Sequence, residues 1–308
     1  MLQRYDERNA DLLININGEL RHRNEAGISP FDSAVQGGDA VWEGLRLYDG
    51  RIFALEAHLD RLRSSALALG FDTIPSHAEL TAEIRKTLEA NQMRDGVHIR
   101  LTLTRGLKVT SGMDPRLNQS GPTVIVLAEY KQPVYDTGGL SLITSSVRRS
   151  PPDCLDPKIH HANLLPSILA KIEANHAGAD DALMLDMRGF VAETNATHLF
   201  LVEGCAVKTS RTVACPEGVT RTTVLQICEE EGIPTVVGDL SLTDFYRADE
   251  VFCTGTMGEL AGVTQIDGRT IGDGTIGALT QRLSGLYRTL AAANGTPIFE
   301  SPDTGADA

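Results

Sequence analysis

Midway along the chain the segment Lys131–Gly139 reads KQPVYDTGG. Proline lacks a backbone donor and fixes φ, and adjacent glycines loosen the chain, so neither a helix nor a central strand runs easily through it. A chain of 308 residues has core enough for two ordinary domains. The segment therefore sets the expected division. A smaller N-terminal domain covers 1–130, a linker 131–139 and a larger C-terminal domain 140–295. The end of the chain, 296–308, finishes in small and polar residues and is expected to be a tail without fixed structure.

Both halves mix strand and helix periodicities, the pattern of an α/β chain of the α+β kind. In the first half, Leu12–Ile16 and Glu19–Arg23 flank Asn17-Gly18, a hairpin signal because both turn residues tolerate positive φ. Strands are expected at Val41–Tyr48, Arg51–Ala54, Val97–Thr104 and Pro122–Glu129, and helices at Leu55–Leu69 and Ser76–Asn91. In the second half, strands are expected at Leu140–Ser145, Ala182–Asp186, Val191–Glu193, His198–Val202, Thr235–Val237 and Glu250–Cys253. Helices are expected at Asn163–Ala177, Val219–Glu231 and Leu279–Ala293.

Bulk charge narrows the partners. The formal net charge is −13, which disfavours nucleic acid and anionic membrane surfaces, since both need clustered cations. No stretch approaches the roughly 18 consecutive apolar residues of a membrane span. The N-terminus MLQRYDERNADLL lacks an apolar signal core, so a cytoplasmic protein is expected. The five cysteines share no CxxC spacing, which argues against a disulfide framework and against a metal centre.

Lysine is scarce. Six occur: Lys86, Lys108, Lys131, Lys158, Lys171 and Lys208. Lys158 differs in setting, within the irregular CLDPKIHHANLLP ahead of a helix. A lysine that captures a carbonyl must be held firmly and kept partly unprotonated by desolvation or nearby cations. On residues alone, Lys158 is more readily a surface cation. Glu193, in GFVAETNATHLF, reads as a turn residue or as a buried acid facing a cationic ring nitrogen. Pro216–Arg221 (PEGVTR) opens a helix whose N–H groups suit an anion, as those of any capped helix would. Cys253–Glu259 (CTGTMGE) is either a loop that lets its backbone approach a phosphate or carboxylate, or a tight strand-to-helix turn. Arg61 lies between the apolar Leu59 and Leu62 and reads as a snorkelling cation or a phosphate ligand.

Together and in this order, these motifs resemble the fold-type IV pyridoxal-phosphate enzymes. That family includes branched-chain and D-amino-acid aminotransferases, (R)-selective amine transaminases and aminodeoxychorismate lyase. The resemblance rests on VWEGLRLYDGRIFALEAHLDRL, the Lys158 segment, ILAKIEA, GFVAETNATHLF, EGVTR and ADEVFCTGTMGEL, and covers residues 10–290. It implies two domains with pyridoxal 5'-phosphate in the cleft between them, and a homodimer. It implies that Lys158 bonds the cofactor and shuttles the proton, that Glu193 pairs with the ring nitrogen, and that Arg61, Val219, Thr220 and Thr256 hold the phosphate. Thr256 and Met257 would help bind the substrate carboxylate, with Arg100 and Arg105 as further substrate ligands. The loop Arg105–Met113, which also carries Lys108, would close over the partner's site.

The implied reaction is amino transfer from an aliphatic, branched-chain-like amino acid to a 2-oxo acid such as 2-oxoglutarate. A D-amino-acid or (R)-amine transaminase is the alternative, and a lyase-type elimination a further one. His98-Ile99-Arg100 resembles branched-chain enzymes and Arg105-Gly106 resembles D-amino-acid enzymes. The sequence departs from the family pattern at several places. Gly37 replaces a tyrosine, Trp42 a phenylalanine and His198 an asparagine. Downstream of Lys158, Asn163 stands where branched-chain enzymes have a tyrosine, with His160 and His161 nearby. Phe31 and Tyr135 are candidates, with these histidines, to rebuild the pocket.

Overall fold

The computed structural model describes residues 5–132 and 138–299. Backbone contacts divide them into two units, 5–132 with 290–299, and 138–289. Residues 133–137, which hold most of the expected linker and Tyr135, lie outside the described residues, as do 300–308 of the expected tail.

In the first unit β1 (Leu13–Ile16) and β2 (Glu19–His22) form the hairpin. Asn17 and Gly18 turn it with φ of 51° and 81°, the pair of left-handed residues that a two-residue loop needs. Then follow α1 (Ser33–Gly37), β3 (Ala40–Tyr48), β4 (Arg51–Ile52), α2 (Leu55–Ala68), α3 (His77–Ala90), β5 (Val97–Thr104) and β6 (Thr123–Tyr130). Ser76 and Glu79 close a reciprocal capping box at the start of α3. The strands form one antiparallel sheet in the order β4-β3-β5-β6-β1-β2.

Register fixes which face the helices cover. Glu43, Leu101, Val126 and Asn15 lie side by side across β3, β5, β6 and β1. Glu43 bonds to α2 and Asn15 to α3, so both helices lie on that face. Leu59, Leu62, Leu80, Ile84 and Leu88 seal it. Trp42, Arg46, His98 and Arg100 have the other parity and point to the opposite face.

The chain end departs from the expected tail. Thr296–Pro297 pairs with β4, Ile298 is fully buried and Arg94 sits over the Phe299 ring at 3.8 Å. Three consecutive apolar residues, Pro297-Ile298-Phe299, outweigh the polar residues after them.

The second unit contains β7 (Leu140–Thr144), α4 (Pro152–Leu155), α5 (Leu165–His176), β8 (Asp181–Leu185), β9 (Val191–Thr194), β10 (His198–Glu203), β11 (Ala206–Ser210), α6 (Val219–Glu230), β12 (Thr235–Gly238), α7 (Leu242–Tyr246), β13 (Glu250–Gly255), β14 (Glu259–Ile266), β15 (Arg269–Thr270) and the start of α8 (Ala278–Ala293). Its sheet runs β12-β11-β10-β13-β14-β7-β8-β9, with β15 on β14. Leu142, Leu185, Val191, Leu201, Val251 and Val263 come from six strands yet share one core, so the sheet curls around it.

β14 corrects one expectation. The segment after Gly255 turns back as a strand antiparallel to β13, not into a helix. Glu259–Val263 is buried at five consecutive positions, so the alternation that marks a strand is absent from its sequence.

His98 links this fold to pH. It is 8% exposed on the face opposite the helices. Burial, aided by the nearby charges of Lys131, Arg100 and Arg46, lowers its pKa to about 3. The folded state keeps it neutral, while the unfolded chain takes up a proton near pH 6.5. Its contribution to stability is therefore complete above pH 6.5 and is lost as pH falls towards 3, by about 1.4 kcal/mol per unit. His98→Gln is expected to remove that slope. Urea midpoints at pH 7 and pH 5 for both proteins test this; equal losses would remove His98 as the cause.

Candidate active site

Glu43 is fully buried at an inward position of β3, between Val41 and Leu45. A carboxylate there must be paired. His58 Nδ1 lies 2.7 Å from one oxygen, and Arg61 donates to both, at 2.8 and 2.7 Å. Both partners come from α2, one helical turn apart. Arg61 is thus not a snorkelling cation. Its guanidinium plane is preset by a buried acid.

On the opposite face, the Arg100 guanidinium lies over the Trp42 ring at 3.5 Å. Desolvation lowers its pKa to about 10, with Glu43 acting in the other direction, so it remains a cation at neutral pH. Arg105 is placed differently from its expected role as a substrate ligand. It bonds the Asp39 carboxylate through two nitrogens at 2.6 and 3.1 Å, donates to the carbonyls of Leu69 and Gly70, and covers the Phe71 ring. These contacts commit it to the scaffold. Lys108 folds back on its own loop and donates to the Gly112 carbonyl at 2.5 Å.

In the second unit the central group is Glu193 on β9, 6% exposed. Arg149 Nη2 lies 2.7 Å from its Oε1. The same guanidinium donates to the Ala214 carbonyl and to Ser167 Oγ, each at 3.2 Å. Glu193 is therefore a buried, clamped acid and not a turn residue. The turn that follows closes on itself: Thr194 Oγ1 accepts from the N–H groups of Ala196 and Thr197.

That turn delivers His198 at the start of β10, opposite Thr254 of β13. His198 Nδ1 lies 3.9 Å from Glu193 Oε2. Its ring packs against Gly218, where an added Cβ would come within 2.3 Å of the ring. Only glycine leaves this space. Gly218 is the N-cap of α6, and no side chain caps that helix. The N–H groups of Val219 and Thr220 thus begin α6 beside His198, at the positive end of its dipole. Thr256 and Met257 lie on the turn between β13 and β14, directly after Gly255, which packs against Thr197. The unit brings together Glu193, the start of α6 and, through Thr197 and Thr254, the β13 end.

Lys158 lies in the stretch between α4 and α5. It is exposed on a turn that its own N–H closes by donating to Asp156 Oδ1 at 3.0 Å, while Pro157 beside it is buried. His161, three residues on, is half-buried. Burial, Arg149 and His160 lower its pKa, and its Nδ1 accepts the Asn163 N–H at 3.1 Å.

Sequence reading missed Arg149, Cys215 and Glu43. A charged residue at an apolar parity of a strand was the available signal for Glu43. Neither of the others carried one. Cys215 is 1% exposed, and burial, with the Glu193 carboxylate second, pushes its thiol far up. Donor atoms of Glu193, His198 and Cys215 lie within 4.8 Å of one another, a set with metal-binding chemistry. Arg149 already supplies Glu193 with positive charge.

Comparison with known proteins places the whole chain. The chain matches the class IV amino-transferase family over residues 40–266. It is 53% identical over 291 residues to branched-chain-amino-acid aminotransferase-like protein 2 of Arabidopsis thaliana, covering 94% of this chain and 52% of that one. The chain thus spans about half the length of that relative. It is 34% identical to the D-alanine aminotransferase of Bacillus licheniformis, over 88% of this chain and 94% of that one. Its fold is similar to a T.th. branched-chain amino acid aminotransferase solved with pyridoxamine 5'-phosphate, with a TM-score of 0.86, 34% identity, and coverage of 92% and 95%. The extent of these matches makes the chain a member of the class IV aminotransferase family, with the fold-type IV architecture and pyridoxal 5'-phosphate as the family cofactor.

Proposed function

We propose that this chain transfers amino groups from an aliphatic, branched-chain-like amino acid to a 2-oxo acid such as 2-oxoglutarate. It would do so with pyridoxal 5'-phosphate in a cleft between its two domains, as a homodimer in the cytoplasm. The observation that carries the reading is Glu193, a buried acid clamped by Arg149 in the same unit as the uncapped start of α6. The names of relatives and neighbours support the substrate class.

When bound, the cofactor supplies an electron sink for a carbanion at the substrate Cα. The non-covalent anchors fit it. Glu193 would hold a proton on the ring nitrogen, and Arg149 keeps that carboxylate in place. The Val219 and Thr220 N–H groups and Thr256 would bind the phosphate, with Arg61 adding a guanidinium already oriented by Glu43. Arg100 on the Trp42 ring would meet a substrate carboxylate, and the Thr256-Met257 backbone would assist. Lys158, on the turn ahead of α5, would be the residue that bonds the cofactor and holds the proton.

A second reading is transfer from a D-amino acid or (R)-amine. The 34% identity to a D-alanine aminotransferase across nearly all of that protein favours it.

A half-reaction panel separates the two. Cofactor-loaded protein is mixed with L-leucine, D-alanine or an (R)-arylamine, and the visible absorbance of the aldehyde form is followed. L-Leucine is expected to bleach it; conversion of D-alanine or the arylamine alone would sink the branched-chain reading. Arg61→Ala is expected to lower affinity for pyridoxamine 5'-phosphate about 10- to 100-fold, the worth of a charge-assisted hydrogen bond of ~1.5–3 kcal/mol. Equilibrium dialysis measures it. An unchanged affinity would remove Arg61 from the phosphate site.

A further inference from the structure

We infer that Glu193, His198 and Cys215 form a binding site for a borderline-soft divalent cation such as zinc, occupied in alternation with the cofactor. The metal site stands on these three side chains. Its alternation with the cofactor rests on the reading of Glu193 given above.

The set is mixed and buried. One carboxylate, one imidazole and one thiol place donor atoms within 4.8 Å of one another. Calcium and magnesium prefer oxygen throughout, whereas sulfur and imidazole nitrogen beside a carboxylate favour zinc. Zinc bonds of about 2.0–2.3 Å put tetrahedral ligands roughly 3–4 Å apart, so a closure of about 1 Å completes the set. The fourth position is left to water or an added ligand. The three residues lie on separate segments, so no ligand spacing marks them in the sequence.

The scaffold holds each donor in place. Arg149 bonds Glu193 through Oε1 and also the Ala214 carbonyl next to Cys215, so one guanidinium fixes two of the ligand-bearing segments. Glu193 Oε2 is the oxygen on the side of His198, 3.9 Å from its Nδ1. The Cδ2–Nε2 edge of that ring is wedged against Gly218, which leaves Nδ1 as the nitrogen that meets the carboxylate. The Cys215 thiol donates to the Arg211 carbonyl only across 4.0 Å, a weak bond to give up.

Charge balance explains the alternation. The charged groups that act on Cys215 are Glu193, Arg149, Arg221 and Glu217, two acids against two guanidiniums. When the Zn–S bond forms, the thiol proton leaves to solvent, so ion and thiolate together add one positive charge. A protonated ring nitrogen on Glu193 adds one positive charge as well. Both occupants therefore suit the same carboxylate at the same charge. A carboxylate that ligates the ion is no longer available to the ring.

Metal titrations of the cofactor-stripped full chain test this. Zinc chloride is followed by calorimetry and cobalt(II) by absorbance. One equivalent is expected to bind, and cobalt to show the near-ultraviolet band of a thiolate ligand. Cys215→Ser is expected to lose that band and to bind zinc about tenfold more weakly or worse. Cys154→Ser and Cys205→Ser, at exposed positions, are expected to keep both. Cys215→Ser is also expected to bind pyridoxamine 5'-phosphate as the wild type does, which checks its fold. Saturating pyridoxamine 5'-phosphate is expected to abolish the wild-type cobalt band, a measurement that needs no variant. Absence of zinc binding by the wild type, or a band and affinity unchanged in Cys215→Ser, would overturn the metal site. A cobalt band that persists with pyridoxamine 5'-phosphate bound would overturn the alternation. Failure of the wild type to bind pyridoxamine 5'-phosphate would overturn the cofactor reading and the alternation with it, while the zinc titration still decides the metal site.

Discussion

A single guanidinium holds the candidate site of the second unit together. Arg149 reaches three separate pieces of chain: Glu193 on β9, Ser167 on α5, and the Ala214 carbonyl in the segment leading to α6. A buried carboxylate without such a partner would be strongly destabilising, because desolvation of a lone charge outweighs what packing returns. The pair therefore fixes where β9 can sit, and β9 fixes the tight turn that delivers His198. From there the order is steric. His198 fills the space that Gly218 leaves empty, and so sets the start of α6.

The first unit repeats the device with different partners. Glu43, at a position where β3 is otherwise apolar, is neutralised by His58 and Arg61 from one helix. In both units an acid is sunk into a sheet and a cation is held against it. What differs is the destination. Arg149 spends its hydrogen bonds on the scaffold, whereas Glu43 orients Arg61 as a cation of fixed direction.

Much of this was legible from residues alone, because its causes are local. Asn17-Gly18 named its turn, and β5 occupies Val97–Thr104 as its alternation predicts. Ser76 and Asn91 flank α3 as its caps. What could not be read depends on contacts distant in sequence. β14 lacks alternation because both of its faces are buried over five residues. Arg149 is one of two adjacent arginines in a loop, and only the folded chain distinguishes them. Lys158 was conspicuous because lysine is scarce, but scarcity has no direction. The buried Pro157 and the backbone bond to Asp156, which set its turn, are features of the folded chain. Arg105 misled for a related reason: its loop suggested a ligand, and its partners Asp39, Leu69 and Gly70 are all remote in sequence.

The contact of His198 with Gly218 also limits how such a chain can diverge. A side chain at 218 would collide with the imidazole, so a larger residue there is harmful while histidine remains at 198. Reducing residue 198 first empties the space and removes the objection. The two positions must therefore change in a fixed order, and a lineage that has acquired the histidine cannot lose the glycine directly. Residue 218 would look invariant as long as histidine stands at 198, although the constraint lies in one volume that the two share.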